Sequence, residues 1–358
     1  MGKRLLLAGY FGHGNLGDDA ILMGFHNLIE GSGHETRTLA GSPERLMRNY
    51  GLVGVPKMDM TAVKQAISQC DALVFPGGSV FQDVTSVRSV LYYSNLVKMA
   101  KKEGKKVVLL GQGVGPLNRW LGKKFAVQAF NMADAIAVRD PESVSALRAL
   151  GVRHNPRVTA DMAFLLPKPA MAEESQSFNV GGMKTVGVSA RPWGKDKNKT
   201  VVEVFGGVMR RLTEMGYAPF MLCLDEEEDG AVINAIAKTM GGKVPDLKGV
   251  NSPMALQTRL MRMDAVIAMR LHAGILAATV DVPPYLVSYD PKVNALANAL
   301  GYSTPPTMQG ITVDRIVNGF TEFIKDRDRL AAGLASRRER LKQEARANLD
   351  VLQSVVGD

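Results

Sequence analysis

The stretch RLLLAGYFGHGNLGDDAIL (residues 4–22) opens with an apolar run, passes through a glycine-rich turn and enters a helix-forming segment. A short apolar run feeding a glycine turn and then a helix is how a parallel α/β sheet begins. Gly12, Gly14 and Gly17 match G-x-G-x-x-G literally. In a dinucleotide cradle the first glycine directly follows the strand and the pyrophosphate sits on the helix N-terminus. Here Gly9 already occupies the turn, and Asp18 and Asp19 open the helix. Carboxylates suit that end of a helix dipole but repel a pyrophosphate. Backbone amides, Asn15 and a carboxylate suit the hydroxyls of a sugar better. A purely architectural reading, with Asp18 as the helix N-cap and the glycines shaping the turn, stays open.

Outward from this stretch the alternation continues. Strands are expected at 4–9, 36–40, 72–77, 106–111 and 135–140, with helices at 18–30, 60–69, 88–102, 120–132 and 141–151. Pro141 starts the last of these helices and Gly151 closes it. Residues 168–184 are polar and aperiodic, and a linker is expected over 171–183. A second series follows, with strands at 185–191, 218–224, 264–269 and 284–289 and helices at 200–215, 226–240, 253–262, 271–280 and 290–300. Apolar strands alternating with helices mean parallel sheets covered on both faces. The expectation is α/β: two Rossmann-like domains facing across a cleft, at 1–170 and 184–325, with a charged C-terminal helix at 326–358.

The totals agree with a globular chain. It has 358 residues, 46% hydrophobic and 22% charged, enough for two ordinary cores. Cys70 and Cys223 lie in apolar contexts and read as buried thiols of a reducing, cytoplasmic protein. Apolar runs fall short of the roughly 18–20 residues that span a bilayer. The net charge of +9 favours anionic partners. Basic residues are not interleaved with aromatics, so nucleic acid is not expected. The mixed-charge tail reads as a solvated helix, with peripheral contact to a membrane surface as the other reading. The five histidines lack metal-ligand spacing, and no metal is expected.

In such sheets ligands bind beyond the carboxyl ends of the strands. Those ends carry PGGSVFQD (76–83, with Gly77, Gly78 and Gln82), GQGVGP (111–116), Arg139, Arg191, RLHAG (270–274) and DPK (290–292). Alternation puts Arg270 and His272 on one side, provided the backbone stays extended to 272. Lys292 follows the next strand and should neighbour His272. A histidine at a strand terminus beside arginine is placed for general acid–base work. Arginine grips carboxylate or phosphate with two bonds, and lysine acts as a point charge.

The stretches GYFGHGNLGDDAIL, FPGGSVFQD, GQGVGPL, AVRDPESVSALRALGV, TADMAF, AMRLHAGILAA and SYDPKV, in this order, resemble the polysaccharide pyruvyltransferases, especially the CsaB type acting on bacterial cell-wall polysaccharide. The resemblance implies a GT-B-like fold and transfer of a pyruvyl group from phosphoenolpyruvate to a sugar as a ketal, with release of phosphate. It implies a lipid-diphosphate-linked oligosaccharide acceptor, modified in the cytoplasm, whose product helps anchor surface-layer proteins. It places Arg139, His272 and Lys292 at the donor and turns the N-terminal loops toward the acceptor. No cofactor beyond the donor substrate is implied.

The residues accommodate that chemistry. His272 is the expected general acid or base, and Arg139, Arg270, Lys292 and Arg191 the expected donor-binding cations. Asp18 is a candidate base toward a sugar hydroxyl, with Asn15, Gly77, Gly78 and Gln82 on the acceptor side. Two other functions stay open: a nucleotide-sugar-dependent glycosyltransferase, and a non-catalytic glycan or lipid-diphosphate binding protein.

Overall fold

The computed structural model describes residues 2–84, 86–170, 181–194, 198–242, 244–247 and 249–357. The expected linker at 171–183 falls outside the described residues for 171–180. The chain divides into two compact units, residues 1–166 with 341–358, and residues 167–340.

Unit 1 runs β1 (Arg4–Phe11), α1 (Leu16–Leu28), β2 (Glu35–Ala40), α2 (Pro43–Tyr50), β3 (Gly54–Pro56), α3 (Met60–Gln69), β4 (Ala72–Phe75), α4 (Val87–Lys102), β5 (Lys106–Gln112), α5 (Trp120–Met132), β6 (Ala135–Val138), α6 (Pro141–Ala149) and β7 (Arg157–Val158), then a single 3-10 turn at Met162–Leu165. Its seven strands are ordered β3-β2-β1-β4-β5-β6-β7 and every pairing is parallel. The order reverses between β1 and β4, the topological switch point beside which such sheets bind ligands. Leu5, Leu6, Leu7, Leu73, Val74, Val107 and Val108 are fully buried, as a sheet covered on both faces requires. Phe81, just beyond the glycine pair at 77–78, turns back into this core and packs against Phe75 and Phe130.

Unit 2 runs β8 (Lys184–Ser189), α7 (Asn198–Glu214), β9 (Tyr217–Met221), α8 (Glu226–Thr239), α9 (Pro253–Leu260), β10 (Ala265–Ala268), α10 (Leu271–Thr279), β11 (Pro284–Leu286), α11 (Pro291–Ala299), α12 (Val313–Lys325) and α13 (Arg327–Arg346), followed by α14 (Asn348–Val356). The strand order is β11-β10-β8-β9, again all parallel. Single parallel bridges, Met221 to Asp246 and Ser288 to Thr307, extend both edges. Counting them, the order is that of a six-stranded Rossmann sheet whose outermost strands have shrunk to one bridge each. Pro245 and Pro306 stand beside these bridges and supply only carbonyls to them. Proline belongs at such edges because it has no N–H for a further neighbour.

Helix starts follow the cap rules closely. Ser42, Asp140, Ser252 and Asp290 each cap the helix that follows, and a proline occupies the next position. Cys70 and Cys223 are buried free thiols, which burial pushes up to about 11 and about 12.

The tail departs from the single helix expected over 326–358. It forms α13 and α14, broken at Ala347, and α14 belongs to unit 1. Asn348, at the start of α14, is fully buried. It accepts from Thr159 Oγ1 at 3.2 Å and donates to the carbonyls of Ala160 and Ala345 at 3.4 and 2.8 Å. The charge pattern of α13 concealed an apolar, core-packing segment behind it. No helix among the described residues is long and apolar enough to cross a membrane.

Candidate functional site

In unit 1 the loops after β1, β4, β5 and β6 gather at the carboxyl edge of the sheet. Asn15, not Asp18, caps α1: its Oδ1 accepts from the amides of Gly17 and Asp18 at 3.0 and 3.3 Å. The N-cap reading of Asp18 is thereby corrected. Asn15 holds the extended backbone (φ −84°, ψ 104°) that a cap needs, whereas Asp18 already lies within the helix. Asp19 is buried, accepting from the Tyr50 hydroxyl at 2.9 Å and the Gly12 amide at 3.4 Å. Half-buried Asp18 faces Gly78, where a Cβ would sit 3.4 Å from Asp18 Oδ1. Gly77 and Gly78 have φ of 147° and 88°, a backbone that favours glycine. The structure therefore brings together three expected acceptor residues, Asp18, Gly77 and Gly78. Gln82 is engaged elsewhere: its Oε1 accepts from the Val84 amide at 2.9 Å. Its neighbour Asp83 is buried and clamps the amides of Asn118 and Arg119, both at 2.7 Å.

Arg139 follows β6, and its guanidinium is already engaged within unit 1. Nη1 donates to Asp161 at 2.9 Å, Nη2 to Ser79 at 3.0 Å, and Asp140 lies 3.6 Å from Nε. It ties the loop after β4 to the end of β6 and to the 3-10 turn that Asp161 caps.

In unit 2 the switch point lies between β8 and β10, and the charged residues converge beside it. Arg191 follows β8, Glu228 and Asp229 are in the first turn of α8, Arg270 follows β10, and Tyr289 and Lys292 flank the start of α11. Glu228 Oε2 accepts from Arg270 Nη2 at 2.8 Å and Arg191 Nη2 at 3.3 Å. Buried Asp229 takes a second pair of bonds from Arg270, through Nε at 2.8 Å and Nη2. Burial alone would raise the Glu228 carboxyl, but Arg270, Arg191 and Lys292 hold it below the usual range.

Arg191 Nη1 also donates to the Tyr289 hydroxyl at 3.0 Å, and its guanidinium lies 5.0 Å from that ring's centre. Lys292 Nζ is 5.3 Å from the same ring. Burial opposes ionisation of the Tyr289 phenol, yet Lys292 and Arg191 outweigh it and set the phenol below its ordinary value. A phenol held between two cations is a competent proton donor or anion partner.

Helix α10 begins at Leu271, so Arg270 is its N-cap residue and the backbone is not extended to 272. The expected alternation of Arg270 and His272 does not apply: His272 is the second residue of a helix, half-buried in its first turn. Lys292 is likewise the second residue of α11, behind the Asp290 cap. Strands β10 and β11 are paired neighbours, so His272 and Lys292 occupy matching places at adjacent strand ends. Glu228, Asp229, Tyr289 and Asp161 were not picked out from sequence. The acidic run DEEEDG at 225–230, beginning just after β9, carried the signal for the first two. Among the described residues, no three His, Cys, Asp or Glu side chains are grouped to hold a metal ion.

Two Rossmann-like units with their polar residues at the strand ends define an α/β, GT-B-like protein. Its backbone is similar to that of a Listeria monocytogenes protein provisionally assigned as a UDP-N-acetylglucosamine 2-epimerase (12% identity, 99% of this chain and 96% of that one, TM-score 0.64). It is similar also to S. aureus MnaA with UDP (11%, 98% and 97%, 0.62) and to Anabaena Alr3699/HepE with UDP (12%, 99% and 100%, 0.61). At such identities the likeness concerns the fold. Comparison with curated proteins finds no match. Residues 15–291 match the polysaccharide pyruvyl transferase family, and the chain belongs to it.

Proposed function

We propose that this protein transfers the pyruvyl group of phosphoenolpyruvate to a sugar of a lipid-diphosphate-linked cell-wall precursor, forming a ketal and releasing phosphate, as the CsaB type does. The observation that carries the reading is the family match together with the cluster of Arg191, Glu228, Arg270, Tyr289 and Lys292 at the strand ends of unit 2. Phosphoenolpyruvate presents a carboxylate and a phosphate. Lys292 offers one point charge for them, and Arg191 with the Tyr289 hydroxyl a second positive partner. Arg270, bound by Asp229 and Glu228, acts by holding this cluster in place.

His272 protonates the methylene carbon, leaving an oxocarbenium centre. A sugar hydroxyl adds there and gives up its proton, with Asp18 as the base. The carbon–oxygen bond to phosphate then breaks, and a second hydroxyl closes the ketal. One proton is taken up at carbon, two leave the hydroxyls, and phosphate departs with its bonding pair. Fixed cations around such a centre lower the barrier by several kcal/mol in order of magnitude. A donor role for Arg139 belongs to the same proposal, and an increased KM for phosphoenolpyruvate in Arg139→Lys tests it. The reading places the protein in the cytoplasm, at the inner face of the membrane where a lipid-linked acceptor is exposed, and places its product in the anchoring of surface-layer proteins.

The deciding experiment is phosphate release from phosphoenolpyruvate in the presence of a short synthetic lipid-diphosphate disaccharide. Turnover that His272→Ala abolishes is expected. Near-normal turnover of that variant removes His272 from its role. UDP release from a UDP-sugar with no phosphate from phosphoenolpyruvate replaces the reading with a glycosyltransferase.

A further inference from the structure

We propose that unit 1 carries a binding site for a glycosyl phosphate, built on Lys57, Arg45, His13 and Asp18. The proposal rests on the acceptor side of the reading above and names the residues that grip it. Lys57 directly follows β3, Arg45 lies on α2, His13 is in the loop after β1, and Asp18 is in the first turn of α1. Four segments thus converge at the carboxyl edge of one sheet, over strands β1 to β3.

The arrangement is built rather than incidental. The Tyr10 and His13 rings stack at 4.1 Å and 7°, and Lys57 Nζ stands 5.0 Å from the Tyr10 ring centre. Cation–π contact with that ring directs the ammonium. The Tyr92 hydroxyl donates to the Lys57 carbonyl at 2.8 Å and fixes the turn that carries it. Gly14, at φ 86°, leaves the space that Arg45 Nη1 occupies, since a Cβ there would collide with it. Gly41 does the same for the His13 ring.

The charge balance differs from that of the other cations. Arg139, Arg191 and Arg270 each meet a carboxylate within 3.3 Å. Among the described residues Lys57 and Arg45 form no ion pair, and the acid whose charge reaches Lys57 is Asp18. Asp19, next in sequence, is occupied by Tyr50 and Gly12. Burial and the two nearby cations lower the His13 imidazole to about 4, so it is neutral at pH 7 and can donate one N–H without adding charge. Two cations and a neutral imidazole suit a phosphate, with Arg45 as the fork and Lys57 as the point charge. Asp18, facing Gly78 across the loop, repels a second anion and accepts hydroxyls instead. Phosphate at one end and hydroxyls at the other describe a sugar phosphate.

The test is calorimetric titration of N-acetylglucosamine 1-phosphate into the full chain, with and without saturating phosphoenolpyruvate, beside free N-acetylglucosamine. The sugar phosphate is expected to bind in both conditions and the free sugar far more weakly. Lys57→Ala and Arg45→Ala should each weaken binding about tenfold or more, the scale of one lost charged contact, while Lys57→Arg retains it. A parallel titration with a short-chain prenyl-diphosphate sugar distinguishes the sources: tighter binding through Lys57 assigns a lipid-linked ligand, equal binding a free one. Absence of binding, displacement by phosphoenolpyruvate, or unchanged affinity in both alanine variants overturns the proposal. If phosphate release from phosphoenolpyruvate persists in that case, pyruvyl transfer stands and this subsite falls. Binding through Lys57 without any use of phosphoenolpyruvate has the opposite meaning.

Discussion

Arg139 Nη1 and Asp161 Oδ2 lie 2.9 Å apart, with their side chains 6% and 4% exposed. Such a pair is held by mutual compensation, and removing one partner leaves the other charge buried alone. Arg139→Met should therefore destabilise the protein by about 3–5 kcal/mol. The double variant with Asp161→Asn should recover part of that loss. Urea unfolding of the single and double variants checks both statements, and a fully stable Arg139→Met would show that the pair is dispensable.

Asn348 joins the C-terminal helix to the sheet of unit 1 through Thr159 and Ala160. Asn348→Ala strands the buried Ala160 carbonyl, while the Thr159 hydroxyl keeps its bond to the Val138 carbonyl at 3.1 Å, so a loss of about 1–3 kcal/mol is expected for the group left unsatisfied. Removing residues 341–358 should cost more, because Leu352 and Val351 leave the core as well. Solubility and urea midpoint of the truncated chain measure this. It follows that liposome binding should be examined with charge reversals on α13 rather than by deleting the tail.

Much of this fold was legible because buried parallel strands are short runs rich in Leu, Val, Ile and Ala. Residues 72–75, 106–112 and 265–268 show it plainly. Strands β3 and β7 were not, being three and two residues long with little apolar content. Helix α2 was passed over although Ser42-Pro43 and the left-handed Gly51 mark its two ends. Sequence put Arg139, Arg191, Arg270 and Lys292 just beyond strand ends because strand ends are predictable. It could not show which of them already have acidic partners. Asp161 and Asp229 lie 22 and 41 residues from the arginines they neutralise. Likewise Lys57 and His13 become neighbours only once β1, β2 and β3 are laid side by side.

His26, on α1, is pushed by burial from the ordinary 6.5 down to about 4. The unfolded chain therefore takes up this proton first. The contribution to stability is complete above about pH 6.5 and is lost as the pH falls toward about 4. His13, lowered to about 4 as well, adds to the same window with a smaller effect because it is more open to solvent. Urea midpoints at about pH 7 and about pH 4.5 should differ in the parent, and less in His26→Leu. An equal pH dependence in the two proteins would mean that His26 is not buried as described.

Tyr289 offers a direct optical reading of the cluster in unit 2. Its ring is partly buried, which opposes ionisation, but Lys292 and Arg191 together carry the phenol below its ordinary value. Tyr50, Tyr92, Tyr93, Tyr285 and Tyr302 are shifted the other way, with burial as the leading cause in each. An alkaline titration followed by phenolate absorbance should accordingly show an early component that Tyr289→Phe removes. Lys292→Met should move that component to higher pH, since one of the two cations that favour the phenolate is gone while burial remains. A bound dianion between Lys292 and Arg191 would shift it upward too, by neutralising both, so adding phosphoenolpyruvate to the parent gives a binding signal that needs no turnover. If the early component survives Tyr289→Phe, the two cations do not enclose this phenol, and the donor site proposed around them loses its geometric basis.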